Sequence, residues 1–349
     1  MSRLEDAYAL VAMSSLSRQE AAIAAHVEAT LRSASFLDVE RVGDNVVART
    51  TGSHATRVLV AGHLDTVPGD AGDAVIVGDE LRGVGACDMK GSIAVMLELA
   101  AEKVARSVEV TWLFYAREEI ARSESGLLEI AELRPELLRA DVAILAEPTG
   151  GAVEAGCQGT LRLGVELVGK RAHTARPFTG VNAIHRLASL VSHVASYEPR
   201  TVQLDDVTYV EQLQTVSIEG GVAPNVVPDV AHCVLNYRVA PDRSENEALA
   251  WIVKYLGALV ETGDSVQVLD WAPSAAPELS NDRLAHLVSL TNAQPRGKLG
   301  WTDVATFAQL GIPAANFGAG DPLLAHRSDE LVTRDELDQF ANVLRAWLA

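Results

Sequence analysis

Two carboxylates stand side by side at Glu118 and Glu119, one residue past the apolar run VTWLFYA (110–116). A short run of that kind, rich in β-branched and aromatic residues, predicts a buried strand. In open α/β sheets, functional groups gather beyond the carboxyl ends of the strands. The residues that follow each predicted strand here are rich in metal donors. His63-Leu64-Asp65 follows VLVAG (58–62), and Asp88 ends the polar loop before the helical stretch GSIAVMLELAAEKVA (91–105). Glu147 follows VAILA (142–146), and His326 follows NFGAGDPLLA. Imidazole nitrogen mixed with carboxylate oxygen suits zinc or a neighbouring first-row ion, and the absence of cysteine at these positions argues against a closed structural site. The chemistry indicated is that of a catalytic metal. In His63-x-Asp65 the carboxylate is placed to accept the second N–H of the imidazole, which would fix its tautomer.

Taken singly, each residue has an ordinary structural explanation. Asp88 fits the N-cap of the helix that follows, Glu147 before Pro148 fits a solvated turn, and His63 or His326 fits a loop histidine. Their conjunction points to a metal, since all of them fall after predicted inner strands or in the adjoining loops.

The elements that must position these groups follow from periodicity. Residues 5–33 show apolar positions at helical spacing, with Ser17 and Glu20 placed like a capping box. Buried strands then alternate with helices such as 91–105 and SGLLEIAELRPELLR (125–139), the pattern of an α/β layer with a largely parallel sheet. From Thr160 the texture changes to LRLGVELVGK, VQLDDVTYV, LQTVSIEGG and VAHCVLNYRVA, with helical stretches near 181–195 and 244–260. Strand, helix, strand, strand, helix, strand is a ferredoxin-like α+β order. After about Pro273 the α/β texture returns, with IPAANFG (312–318) as a last inner strand and 333–348 as a final helix. The expectation is a domain of residues 160–272 inserted into one formed by 1–159 and 273–349.

Composition narrows the function. The chain has 349 residues, 48% hydrophobic and 22% charged, with a formal charge of −18. No basic run could track a phosphate backbone or an anionic bilayer, so neither nucleic acid nor membrane is an expected partner. No apolar run approaches the roughly 20 residues that span a bilayer, and the acidic N-terminal stretch is unlike a signal peptide. A cytoplasmic location is expected. Cys87, Cys157 and Cys233 form no CxxC pair and read as buried, reduced residues.

The segments GHLDTVPGD (62–70), GACDMKG (85–91), FYAREEI (114–120), AEPTG (146–150) and GDPLLAHRSDE (320–330) resemble, in order, the five metal-site motifs of the M20 family of dinuclear zinc aminoacylases and peptidases. Within it, EAGCQGTLR (154–162), RAHTAR (171–176), GGVAPNVVPD (220–229), NYRVAPDRS (236–244) and GWTDVATFAQLGIPAANFGAGDP (300–322) look most like the actinobacterial branch that desuccinylates N-succinyl-LL-2,6-diaminopimelate. The resemblance implies a zinc-peptidase-like catalytic domain with an inserted lid and dimerisation domain, working as a homodimer on a small N-acylated amino acid. It implies two Zn²⁺ per subunit, with Co²⁺ or Mn²⁺ as substitutes. His63 and Glu147 would hold one ion, His326 and Glu119 the other, with Asp88 bridging them. Glu118 becomes the general acid/base, Asp65 supports catalysis beside His63, and His173 reaches the partner subunit's site. Asn225, Arg238, Thr160 and Thr302 match substrate contacts.

The chain also departs from many relatives, with Val84 in the loop before Asp88 and Cys87 directly preceding it. Cys157 and Gln158 stand where an arginine pair is common. These changes leave the metal motifs untouched and bear on the acyl group. Acetylornithine deacetylase, aminoacylase and dipeptidase activities stay open as alternatives, as does a metal-dependent binding protein without catalysis.

Overall fold

The structure is a computed structural model that describes residues 2–69 and 71–349, without the side chain of Ala71. Asp70, the last residue of the first motif, lies outside the described residues. The chain forms two compact units, one of Met1–Gly156, Pro277–Gly297 and Asp303–Ala349, the other of Cys157–Ala276 and Lys298–Thr302.

The first unit is built on an eight-stranded sheet. Its order is Leu37–Val42, Asn45–Thr50, Glu109–Tyr115, Arg57–His63, Val142–Leu145, Ala314–Asn316, Glu154–Ala155, Arg296–Gly297. The four inner strands from Glu109–Tyr115 to Ala314–Asn316 run parallel. The hairpin Leu37–Val42/Asn45–Thr50 and the strand Glu154–Ala155 join antiparallel. All seven residues of Glu109–Tyr115 are buried, as expected of a strand covered on both faces. Val58 and Val60 pack with Ile93 and Met96 of helix Gly91–Ala101 and with Phe340 and Leu344 of helix Arg334–Leu348. Leu59 and Ala61, pointing the other way, are equally buried. Each large side chain so buried contributes about 1.5–3 kcal/mol, which holds the strand ends, and the residues just beyond them, in register.

Three local expectations are corrected. The helix predicted over 125–139 is Gly126–Leu133 followed by a 3₁₀ turn at Pro135–Leu138, because Pro135 excludes helical backbone at Arg134. The helix predicted over 91–105 stops at Ala101. Ser17 and Glu20 make no capping box: the helix begins at Ala21 without a side-chain cap, and both residues bond elsewhere. Capping boxes form instead at Ser2/Glu5, Ser244/Glu247 and Thr333/Glu336.

The second unit has a four-stranded antiparallel sheet in the order Gln212–Gly220, Val230–Val239, Gly159–Val168, Ser265–Ala272. Helices Ala183–Ala195 and Glu245–Leu256 bury Leu187, Leu190 and Ile252 against Leu163, Leu235 and Tyr237. This is the ferredoxin-like arrangement. VQLDDVTYV, expected as one strand, is a separate hairpin of Thr201–Leu204 with Val207–Val210. Asp205 and Asp206 turn it with φ of 45° and 64°, a backbone region that Asp tolerates. The three cysteines are free thiols and buried. Among the described residues, no helix is long and apolar enough to cross a membrane.

Candidate metal centre

His63 is the last residue of its strand and is buried. Its Nε2 lies 3.0 Å from Asp88 Oδ1. On the other side of the ring, Nδ1 lies 3.1 Å from the Asp65 carbonyl oxygen and 3.6 Å from Asp65 Oδ1. The Asp65 main chain is thus the closer acceptor for the second imidazole N–H, and, despite burial, the carboxylate, also beside it, raises the His63 pKa. The carboxylate also accepts from three donors: Ser17 Oγ at 2.7 Å, Glu118 N at 3.0 Å and Glu119 N at 3.1 Å.

The paired acids are set by the turn that precedes them. Arg117 has φ of 62°, a left-handed conformation uncommon for a residue with a side chain. Its N–H donates to Glu20 Oε1 at 3.0 Å, its Nε to Glu124 O at 2.7 Å and its Nη2 to Glu129 Oε2 at 2.6 Å. These bonds hold the chain as it leaves the strand, so the next two N–H groups converge on Asp65. Glu119 Oε1 then lies 3.0 Å from His326 Nε2. His326 is itself left-handed, with φ of 64°, and its Nε2 is 3.4 Å from Asp88 Oδ2.

Asp88 thus meets one imidazole on each carboxylate oxygen. It lies in the tight turn Ala86–Lys90 and does not cap the helix that follows. The N–H groups of Cys87 and Asp88 both donate to Glu330 Oε1, at 3.0 and 3.1 Å. Glu330 has no role in the sequence reading, although it closes the GDPLLAHRSDE motif four residues after His326. Asp303 was also missed; it is fully buried and accepts from Thr306 Oγ1 at 2.6 Å.

The electrostatics are those of carboxylates crowded out of water. Burial, with repulsion from Glu147, Glu119 and Asp303, holds the Glu118 carboxyl well above its ordinary range. Against the upward pull of burial, His326 and His63 keep Asp88 well below its own. Asp88 and Glu119 push His326 up to about 10. His63, Asp88 and Glu119 offer donor atoms that all lie within 4.8 Å of one another. His326 adjoins this trio through Asp88 and Glu119, while Glu147, buried beyond strand Val142–Leu145, acts by its charge on both His63 and Glu118.

The donor set fits a divalent cation. Ligands about 2.0–2.2 Å from a tetrahedral zinc sit about 3.3–3.6 Å apart, close to the 3.0–3.4 Å between the imidazole nitrogens and carboxylate oxygens here. An aspartate whose two oxygens face different imidazoles is also disposed to bridge two ions.

The remaining sequence-predicted residues belong to the second unit. Arg238 Nη1 donates to Thr160 Oγ1 at 2.6 Å, across directly paired strand positions. Arg238 is partly buried, and burial followed by the nearby Arg162 lowers its pKa. Exposed His173 pairs with Val226 in a short ladder, and Thr174 N donates to Asn225 O at 3.2 Å, so His173 and Asn225 share one edge. Thr302 is buried, its carbonyl facing Cys157 Sγ at 3.6 Å.

A parallel α/β sheet with imidazoles and carboxylates gathered past its strand ends, and a half-buried acid beside them, defines a metal-dependent hydrolase. Residues 59–349 match the model of peptidase family M20/M25/M40. A Mycobacterium tuberculosis (strain ATCC 25618 / H37Rv) protein, provisionally named succinyl-diaminopimelate desuccinylase DapE, is 46% identical over 97% of this chain and 96% of its own. A Corynebacterium glutamicum succinyl-diaminopimelate desuccinylase is 42% identical over 97% of this chain and 94% of its own. The crystal structure of aminopeptidase PepT from Bacillus cereus shares the fold, with a TM-score of 0.79 over 99% of this chain and 97% of that one, at 18% identity. The chain belongs to peptidase family M20/M25/M40 and is a metal-dependent amidohydrolase.

Proposed function

We propose that the protein hydrolyses N-succinyl-LL-2,6-diaminopimelate to succinate and LL-2,6-diaminopimelate, a step toward lysine and cell-wall precursors, in the cytoplasm. The observation that carries this reading is the identity of 42–46%, over nearly the whole chain, to proteins bearing that name. Two zinc ions per subunit would be held by His63 with Glu147 and by His326 with Glu119, Asp88 bridging. Bound there, they would lower the pKa of a water and polarise the acyl carbonyl.

The chain's own residues supply the rest. Glu118 takes a proton from the attacking water and delivers it to the leaving amine. Its burial beside Glu147 supports this role, because a carboxylate destabilised by its neighbours is a stronger base. Asp65 holds the two N–H groups that aim Glu118 and Glu119. With a net charge of −18, local cations must receive a substrate that carries three carboxylates. Arg238 meets one of them as a planar fork, its approach set by Thr160 and supported by Asn225 and Thr302. The second unit serves as lid and dimerisation domain, and His173 steadies the reaction oxyanion in the partner subunit's site.

The test compares N-succinyl-LL-2,6-diaminopimelate with N-acetylornithine on protein whose metal content is measured in the same sample. A preference of at least about 100-fold in kcat/KM for the succinyl substrate is expected, since the acetyl group lacks the carboxylate that an arginine site selects. Equal or faster turnover of the acetyl substrate would move the protein to the deacetylase branch.

A further inference from the structure

One segment outside every metal-site motif touches three of the ligand-bearing turns. Residues 13–20 run from the end of helix Arg3–Val11 to the start of helix Ala21–Arg32. The Met13 carbonyl accepts from Lys90 Nζ at 2.7 Å; Lys90 is a buried lysine two residues after Asp88. Ser15 Oγ donates to Leu64 O at 2.7 Å, while Ser15 O accepts from Thr66 N at 3.0 Å, and Leu16 bridges to Thr66. These contacts grip the turn after His63 on both sides of Asp65. Ser17 Oγ reaches Asp65 Oδ2 at 2.7 Å. Glu20, fully buried, accepts the Arg117 N–H at 3.0 Å just before the paired acids.

The bonding pattern has a mechanical sense. Sheet hydrogen bonds fix the strands up to His63 and Tyr115. Past those residues the ligands lie on turns, and a turn is only as fixed as its own hydrogen bonds make it. The Asp65 carboxylate acts as a tie between two such turns, and the Ser17 hydroxyl adds a side-chain donor to it. An O–H donated to an ionised carboxylate is among the stronger hydrogen bonds, and its loss would leave Asp65 free to turn away from the Glu118 and Glu119 N–H groups. Glu20 does the matching work at Arg117, whose left-handed backbone sets the direction in which both acids leave.

We propose that residues 13–20 form a strap that sets the geometry of the metal centre, with Ser17 and Glu20 as positioning residues that act through Asp65 and Arg117. The proposal rests on the metal-site reading above and not on the identity of the substrate.

The test is zinc affinity, measured on the full-length chain by competition with a chromophoric chelator, beside the melting temperature of the metal-free protein. Ser17→Ala is expected to bind zinc about 10- to 100-fold more weakly, the usual cost of losing a group that orients a ligand. Its metal-free melting temperature should move by no more than about 3 °C. Ser17→Thr, which keeps the hydroxyl, should recover most of the affinity. Glu20→Gln retains an acceptor for Arg117 and should stay close to wild type, whereas Glu20→Ala should lose about tenfold. Wild-type affinity in Ser17→Ala, or a loss that threonine does not recover, would overturn the strap. A wild-type protein that takes up zinc but does not desuccinylate would sink the substrate assignment alone. One that takes up no zinc would end both.

Discussion

The main-chain N–H of Glu118 donates to Asp65 Oδ1 across 3.0 Å. The candidate general base is thus tied to the turn that carries His63, although the two residues come from different strands. The second oxygen of Asp65 takes the Glu119 N–H. One carboxylate therefore orients the candidate proton carrier and a candidate metal ligand together.

Asp65→Asn should expose that coupling. The amide keeps the shape but offers one acceptor oxygen in place of two, so at least one of the three donors loses its partner. A fall of about 10- to 100-fold in both zinc affinity and kcat is expected. Chelator competition and steady-state kinetics on the same preparation check it; loss of kcat with metal affinity intact would place Asp65 in proton transfer alone.

Glu118 and Glu119 should separate cleanly. Glu118→Gln is expected to retain zinc and substrate affinity while kcat falls by about 10²- to 10⁴-fold, the usual contribution of general acid–base catalysis. Glu119→Gln removes the carboxylate 3.0 Å from His326 Nε2 and should lower the occupancy of one metal. Metal analysis of both variants decides, and equal metal loss in the two would reverse the assignment of roles.

Metal uptake should depend steeply on pH. In the metal-free protein, Asp88 and Glu119 push His326 up to about 10, and Asp65 and Asp88 raise His63 well above its ordinary value despite its burial. Below those values each imidazole carries a proton that must leave before it can ligate. Apparent zinc affinity should therefore rise by at least about tenfold per pH unit from about pH 7 to 9. A flat profile in chelator titrations would mean that the imidazoles are already neutral.

Asp264 offers a stability test away from the metals. Its carboxylate, only 1% exposed, pairs with Arg186 through Nη1 at 2.9 Å and Nη2 at 2.7 Å, and accepts from Val168 N and Glu261 N. These donors outweigh burial and lower its pKa. A depressed carboxyl stabilises the fold above its unfolded value of about 3.9 and loses that contribution as pH falls through the folded value. Asp264→Asn should cost about 3 kcal/mol near neutral pH, with the two proteins converging in strong acid. Thermal unfolding at several pH values reads this directly.

The order of strands and the donors that follow them are legible in the chain because burial leaves a local trace. VTWLFYA and VAILA read as inner strands, and the ferredoxin-like order of the second unit follows from alternation alone. Helix ends are less secure, as the break at Arg134 shows: its signal, Pro135, lies inside a stretch whose apolar spacing continues past it. VQLDDVTYV reads as one strand because both halves alternate, yet the inward positions shift from Val202 and Leu204 to Val207 and Tyr209, and that change of phase marks the reversal at Asp205-Asp206.

By itself, then, the sequence determined which residue types stand past which strands, and the motif order that marks the family. The tertiary structure decided how those residues hold one another. Ser17 looked like half of a capping box until the fold placed it against Asp65, 48 residues away, and Glu20 meets the Arg117 N–H 97 residues on. Asp65, expected beside His63, also ties its carboxylate to the turn that carries Glu118 and Glu119. The physical reason is that periodicity records whether a residue faces the core, whereas a hydrogen bond between two turns depends on where two strands end in space.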